Sequence, residues 1–243
     1  MIQPRSKGQS LTSKHTSMKT LMVTGATSGL GLEIVKVASK TCKVIACGRR
    51  AEILNRVQKR YKCGVIIGDI NDWTWGEPPT INTIGNVTEY QNVDVFVHCA
   101  GEHSKKSTHK MTDSEIAGLL NTNLVSSILL LKRILSVMAS RGKGTIVVIN
   151  SLAGKYASPT EPVYSASKFG LRGFVEAIRN DYAKNNIRLI SVYPGAMQTP
   201  MAHERDDFDK LLRPSDVAQF IISLCLKQKA MRLDDIEISR TTY

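Results

Sequence analysis

The stretch Lys19-Thr20-Leu21-Met22-Val23-Thr24-Gly25-Ala26-Thr27-Ser28-Gly29-Leu30-Gly31 decides how this chain is built. Its first half, Lys19 to Thr24, is a short apolar run, the pattern of a buried strand. Its second half turns on glycines spaced Gly-x-x-x-Gly-x-Gly. Glycine lets a backbone bend sharply and lets another group come close to its amides. From Leu32 to Lys40 apolar residues recur at helical spacing. Strand, glycine-rich turn and helix in that order make an anion cradle, because a helix N-terminus offers unpaired N–H groups and partial positive charge. Gly25, Thr27, Ser28, Gly29, Leu30 and Gly31 are therefore candidate pyrophosphate-binding residues. An ordinary glycine-rich turn is the competing reading, and the flanking strand and helix argue against it.

The same alternation continues outward. Lys43–Cys47 reads as a second strand, Arg49–Tyr61 as a polar helix, and Val65–Gly68 and Val93–His98 as further strands. Thr112 and Glu115 form a capping box. It opens a helix running to about Ser140, with an irregularity near Asn121-Thr122-Asn123. Thr145–Asn150 is a buried strand. Pro162 suits the first turn of a helix that reaches Lys184 and ends at Asn185-Asn186. Ile187–Tyr193 is a strand stopped by Pro194-Gly195. A helix from Pro214 to Leu226 and a strand over Ile236–Ser239 close the pattern. Asn71 to Asn92, with Trp73 to Pro79, reads as a loop.

Nearly all-apolar strands alternating with helices predict a doubly wound, Rossmann-type α/β domain over residues 18–243. Its seven-stranded sheet is expected to be mostly parallel, with helices on both faces and ligands at the carboxyl ends of the strands. A chain of 243 residues with 42% hydrophobic content suits one such domain. Residues 1–17 are basic and rich in Ser and Thr, and read as a flexible tail. No run of eighteen apolar residues suggests a membrane span.

Five cysteines, Cys42, Cys47, Cys63, Cys99 and Cys225, show no metal-type spacing, so no metal site is expected. Their apolar settings point to a reducing, cytoplasmic compartment. The formal charge of +12 favours anionic partners. The basic residues are scattered and carry no nucleic-acid signature, so a phosphate-rich cofactor is the better reading.

The second strand ends Ala46-Cys47-Gly48-Arg49-Arg50. An acid at that place would read a ribose 2′-hydroxyl, but Gly48 offers none. Arg49, with Arg50 beside it, is placed to pair a 2′-phosphate, which favours NADP(H) over NAD(H). A solvated helix start is the alternative for both arginines. Asp69 and Ile70 follow the third strand, at the adenine edge. Ala100 and Gly101 follow the fourth, where small residues let backbone approach the cofactor. His98 and Cys99 before them read as buried structural residues.

Tyr164 and Lys168 lie four residues apart, on one face of a helix. The cation is expected to lower the pKa of the phenol, which can then pass a proton to a substrate oxygen. Ser151 lies upstream in Asn150-Ser151-Leu152-Ala153-Gly154.

Together these motifs resemble the short-chain dehydrogenase/reductase family over nearly all of Lys19–Ser239. Its Thr-Gly-x-x-x-Gly-x-Gly is met by Thr24 through Gly31, and its Tyr-x-x-x-Lys by Tyr164 and Lys168. Its catalytic serine matches Ser151, and its active-site asparagine matches Asn123. Its Pro-Gly turn and nicotinamide-contacting threonine match Pro194, Gly195 and Thr199. His98-Cys99-Ala100-Gly101 stands where the family usually has Asn-Asn-Ala-Gly, whose asparagine chiefly stabilises the sheet. The resemblance implies hydride transfer between nicotinamide and a carbonyl or alcohol. Tyr164 would be general acid/base, Ser151 would fix the oxygen, and Lys168 would also reach the nicotinamide ribose. Asn123 would hold a water that relays protons to Lys168. The loop Pro200–Phe208 should cover the pocket, and Glu102–Lys110 lies at the same end. The resemblance also implies a homodimer or homotetramer, the short stretch from Leu233 to Tyr243 leaving both open. A non-catalytic NADP(H) sensor on the same fold is the rival reading, and it predicts damage to Ser151, Tyr164 or Lys168. All three are intact.

Overall fold

The computed structural model describes residues 18–72, 91–227 and 231–241. The expected tail and most of the expected loop between Asn71 and Asn92 lie outside those residues. The sheet contains β1 (Thr20–Thr24), β2 (Lys43–Gly48), β3 (Gly64–Ile67), β4 (Val95–His98), β5 (Gly144–Ile149), β6 (Ile187–Pro194) and β7 (Asp235–Ile238). Their spatial order is β3-β2-β1-β4-β5-β6-β7. Expected as mostly parallel, the sheet is parallel at every pairing. Strand order reverses between β1 and β4, which opens a crevice at their carboxyl ends.

Alternation along each strand sends neighbouring side chains to opposite faces, and both faces are covered. Leu21 and Val23 of β1 join a cluster with residues of α1 (Gly29–Ala38), α2 (Ala51–Tyr61) and α6 (Pro214–Lys227). Met22 and Phe96 face the other way, onto α4 (Ser126–Ser140) and α5 (Pro162–Ala183). Ile34 and Leu131 are fully buried on the two sides. Burial of such a side chain contributes roughly 1.5–3 kcal/mol. α1 begins three residues earlier than its apolar spacing predicts, so Gly29 and Gly31 lie inside its first turn. Asn186, three residues past the end of α5, takes the left-handed conformation at φ 57°.

The helical rod after Thr112 starts with α3 (Asp113–Leu120), whose capping box is complete. Thr112 Oγ1 accepts the Glu115 N–H at 3.2 Å, and Glu115 accepts the Thr112 N–H at 3.0 Å. A π-helical turn over Asn121–Val125 then joins α3 to α4. The Ser127 hydroxyl donates to the Asn123 carbonyl at 2.9 Å, a side-chain bond that competes with the helical ladder. From Asp113 to Ser140 the rod is long and apolar enough, by length and composition, to cross a membrane. The sequence reading missed this because Lys132 and Arg133 interrupt the apolar run. Leu130, Leu131, Ile134, Leu135 and Met138 of the rod pack into the core.

His98 ties the centre of this frame together. Thr24 Oγ1 accepts the N–H groups of Cys99 and Ala100, each at 3.2 Å, so its own proton points at His98 Nδ1, 2.9 Å away. Nε2–H then donates to Ser127 Oγ at 2.8 Å, and Ser127 donates onward to Asn123. Burial, with a smaller effect from Lys168, pushes the imidazole down to about 3, so it stays neutral. The histidine thus links β1, β4 and α4, at the place where the resembled family carries its sheet-stabilising asparagine.

Candidate active site

A cleft of about 520 Å³ opens where strand order reverses, and it is lined from the turns after β1, β2, β3, β4, β5 and β6. That volume suits a small-molecule site. Two glycines shape the cradle at one end. Gly25 has φ 69°, and a Cβ there would stand 3.0 Å from the backbone of Cys99 and Ala100. A Cβ on Gly31 would stand 2.3 Å from the Gly25 carbonyl oxygen. The first turn of α1 is therefore folded tightly against the turn before it, with Thr27, Ser28, Gly29 and Leu30 on the cleft wall. This closely packed backbone at a helix N-terminus fits a dinucleotide pyrophosphate.

The two arginines after β2 have different settings. Arg50 donates to Thr27 Oγ1 at 2.7 Å and to Ser28 Oγ at 2.8 Å, so its guanidinium lies against the cradle. Arg49 is held by two carboxylates, Asp69 at 3.2 Å and Glu102 at 3.1 Å. Arg49, expected to meet a 2′-phosphate, is thus paired with carboxylates that follow β3 and β4. Asp69, expected at the adenine edge, shares its carboxylate between Arg49 and the Asn71 N–H at 2.9 Å. Ile70, Ala100, Gly101, Pro194, Gly195 and Thr199 also line the cleft.

Across from the cradle stand Ser151, Tyr164 and Lys168. Ser151 follows β5, and its N–H donates to Asn150 Oδ1 at 2.9 Å. The Asn150 amide donates to the Lys168 carbonyl at 3.1 Å, so one side chain couples the end of β5 to α5. Ser151 and Tyr164 both line the cleft, and the Ser151 hydroxyl accepts the Ala153 N–H at 3.1 Å. Lys168 Nζ lies 5.7 Å from the centre of the tyrosine ring. Burial dominates the protonation of both groups. It pushes the Tyr164 phenol up to about 12, with Ser151 pulling the other way. It pushes Lys168 down to about 8. The expectation that Lys168 brings the phenol toward neutrality is corrected here. Desolvation penalises the phenolate more than its neighbours favour it, and the same desolvation weakens the ammonium.

Asn123 is fully buried and does not line the cleft. Its oxygen accepts the Glu102 N–H at 2.7 Å, while its amide donates to the Glu102 carbonyl at 2.8 Å and to Ser167 at 3.1 Å. Both amide protons are spent on protein. In this structure the side chain acts as a clamp that fixes the loop after β4 against α5, and the expected water-holding role would fall to its oxygen atoms.

The remaining wall includes His103, Lys105, Glu161, Met201 and Arg205. His103 Nε2 pairs with Glu161, and its ring meets Tyr164 edge-on at 4.7 Å. Burial works against the Glu161 carboxylate, but His103 and Ser158 hydrogen-bond it and hold it below the ordinary range. Glu161 was missed from sequence, although it sits three residues before Tyr164 and so shares its helical face. Among the described residues no group of three or more His, Cys, Asp or Glu side chains could hold a metal ion.

Fold and cleft place the chain among the dinucleotide-binding α/β proteins. A family model for short chain dehydrogenase matches residues 19–210. The chain belongs to that family, whose members are oxidoreductases that use a nicotinamide cofactor. A putative ketoacyl reductase of Streptomyces coelicolor is 34% identical over 186 residues, covering 74% of this chain and 71% of that protein. A sepiapterin reductase of Chlorobaculum tepidum is 26% identical, covering 91% of this chain and 96% of its own length. Among solved structures, an actinorhodin polyketide ketoreductase variant with NADPH superposes at a TM-score of 0.76 with 26% identity, covering 91% of this chain and 96% of that one.

Proposed function

We propose that this chain is an NADP(H)-dependent carbonyl reductase that transfers a hydride between the nicotinamide and a carbonyl or alcohol carbon. The observation that carries the reading is that Ser151, Tyr164 and buried Lys168 come together on the wall of the cleft that holds the glycine cradle, with Lys168 Nζ 5.7 Å from the tyrosine ring centre. Similarity to ketoacyl and sepiapterin reductases supports a carbonyl substrate. The absent carboxylate at Gly48, the paired cations Arg49 and Arg50, and the NADPH-bound neighbour support the phosphorylated cofactor. We further place the protein in the cytoplasm as a homodimer or homotetramer that binds neither nucleic acid nor membrane.

The cradle from Gly25 to Gly31 would hold the pyrophosphate, and Pro194, Gly195 and Thr199 the nicotinamide end. When bound, the reduced cofactor would supply the hydride. As hydride reaches the carbonyl carbon, negative charge grows on oxygen, and the Ser151 hydroxyl donates a hydrogen bond to it. Tyr164 passes its phenolic proton to the same oxygen, which completes the alcohol. A phenol pushed up to about 12 stays protonated at neutral pH, as the reducing direction needs. Lys168 keeps positive charge near the phenolate left behind.

A pH profile follows from these groups. Lys168, pushed down to about 8, is charged below that pH and neutral above it, while Tyr164 remains protonated through both regions. kcat/KM for carbonyl reduction is therefore expected to be flat below pH 8 and to fall about tenfold per pH unit above it. A profile flat to pH 10 would show that the Lys168 charge is not needed. The substrate class is tested by following NADPH oxidation over aldehydes, ketones, quinones and 3-oxoacyl thioesters. No turnover with any of them would reject the reductase reading.

Arg49→Ala is expected to weaken NADPH by roughly ten- to a hundredfold, the usual worth of a charge-assisted contact, and NADH much less. Titration of both cofactors by tryptophan fluorescence reads the difference. Equal losses would remove Arg49 from phosphate recognition.

A further inference from the structure

We propose that Glu102 is a specificity-determining residue, which limits affinity for the 2′-phosphorylated cofactor by competing with that phosphate for Arg49. The inference rests on the reading of Arg49 as the phosphate-binding cation. The two terminal nitrogens of Arg49 each hold a carboxylate, Asp69 at 3.2 Å and Glu102 at 3.1 Å. A carboxylate offers a guanidinium the same oxygen chemistry as a phosphate. The two acids are differently committed. Asp69 is also anchored by the Asn71 N–H, and its side chain is 25% exposed. Glu102 is 42% exposed, and no partner other than Arg49 is seen for its carboxylate among the described residues.

The backbone beneath Glu102 is nevertheless fixed, because Asn123 clamps both its N–H and its carbonyl. The carboxylate is thus presented to Arg49 from a rigid position on the cleft wall and is still free to swing away. A dianionic 2′-phosphate that takes the Arg49 nitrogen facing Glu102 displaces that carboxylate and then lies beside its negative charge. A cofactor with a 2′-hydroxyl meets no such competition. Arg50 differs, since its partners at the cradle are the neutral hydroxyls of Thr27 and Ser28.

The experiment is calorimetric titration, without substrate, of the wild type, Glu102→Gln, Arg49→Ala and the double variant with NADPH, NADH and adenosine 2′,5′-bisphosphate. Glu102→Gln keeps the backbone clamp and removes the charge. It is expected to tighten NADPH and the bisphosphate about two- to fivefold, the range of an exposed ion pair, and to leave NADH unchanged. The gain should shrink at roughly 1 M salt, where surface charges are screened, and vanish when Arg49 is alanine. Unchanged or weaker NADPH binding in Glu102→Gln, or an equal gain in the Arg49→Ala background, overturns the proposal. Equal losses of NADPH and NADH in Arg49→Ala overturn the phosphate reading of Arg49 itself, and that outcome is told apart because it does not involve Glu102.

Discussion

Tyr164→Phe is expected to lower kcat/KM for carbonyl reduction by roughly a thousandfold or more while the protein stays folded and still binds NADPH. The substitution removes one oxygen and keeps the ring, which packs with Leu119, Ala153 and Val163. Its structural cost is at most that of one hydrogen bond, about 0.5–1.5 kcal/mol. Its chemical cost is larger. A positioned general acid contributes on the order of 10²–10⁴ in rate, and none of the neighbouring groups can replace it. Ser151 already donates to the oxygen, and Lys168 is set back from the phenol on the same helix face. A thousandfold loss corresponds to about 4 kcal/mol of transition-state stabilisation. Steady-state rates on the best substrate, a thermal melt and an NADPH titration separate the two costs. Wild-type turnover in the folded variant would remove Tyr164 from the chemistry.

Gly31→Ala should cost cofactor binding and stability together. The added methyl would stand 2.3 Å from the Gly25 carbonyl oxygen and 2.8 Å from its carbon, and both are backbone atoms that cannot rotate away. Gly25 cannot retreat either. It is pressed against the backbone of Cys99 and Ala100, and the next residue donates its N–H to the Cys47 carbonyl at 3.0 Å. Overpacking of this kind costs typically 1–3 kcal/mol, which lowers Tm by roughly 3–10 °C for a domain of this size. The amides proposed to face a pyrophosphate would move with the turn, so NADPH affinity should fall on the order of a hundredfold. Gly118→Ala in α3 is the control, because a Cβ there meets nothing and the change favours a helix. If Gly31→Ala bound NADPH as wild type does, the close contact would not be shaping the cradle.

Much of this was legible before any coordinates. The glycine turn, the capping box at Thr112 and the left-handed stop at Asn186 depend on residues within one or two turns of each other, and sequence displays such neighbours directly. The helix irregularity at Asn121–Asn123 showed for the same reason. Other features were hidden. Glu102 and Asp69 reach Arg49 only because β2, β3 and β4 end at one level. The clamp made by Asn123 was hidden too, because the loop after β4 and Ser167 of α5 converge on its amide. The rod over 113–140 is apolar enough to resemble a membrane span, and only its packing on the sheet shows where that surface goes.

The order of strands and helices and the glycine-rich turn follow from periodicity and from chemistry carried along a few consecutive residues, and the candidate reacting side chains from short motifs that resemble a family's. Protonation and pairing do not. Tyr164 and Lys168 are driven in opposite directions by burial, and burial is a property of everything packed around them. Arg49 finds two acids instead of water because parallel strands bring distant segments to the same edge of the sheet. Desolvation and through-space charge are sums over the whole folded neighbourhood, so only the assembled structure could set them.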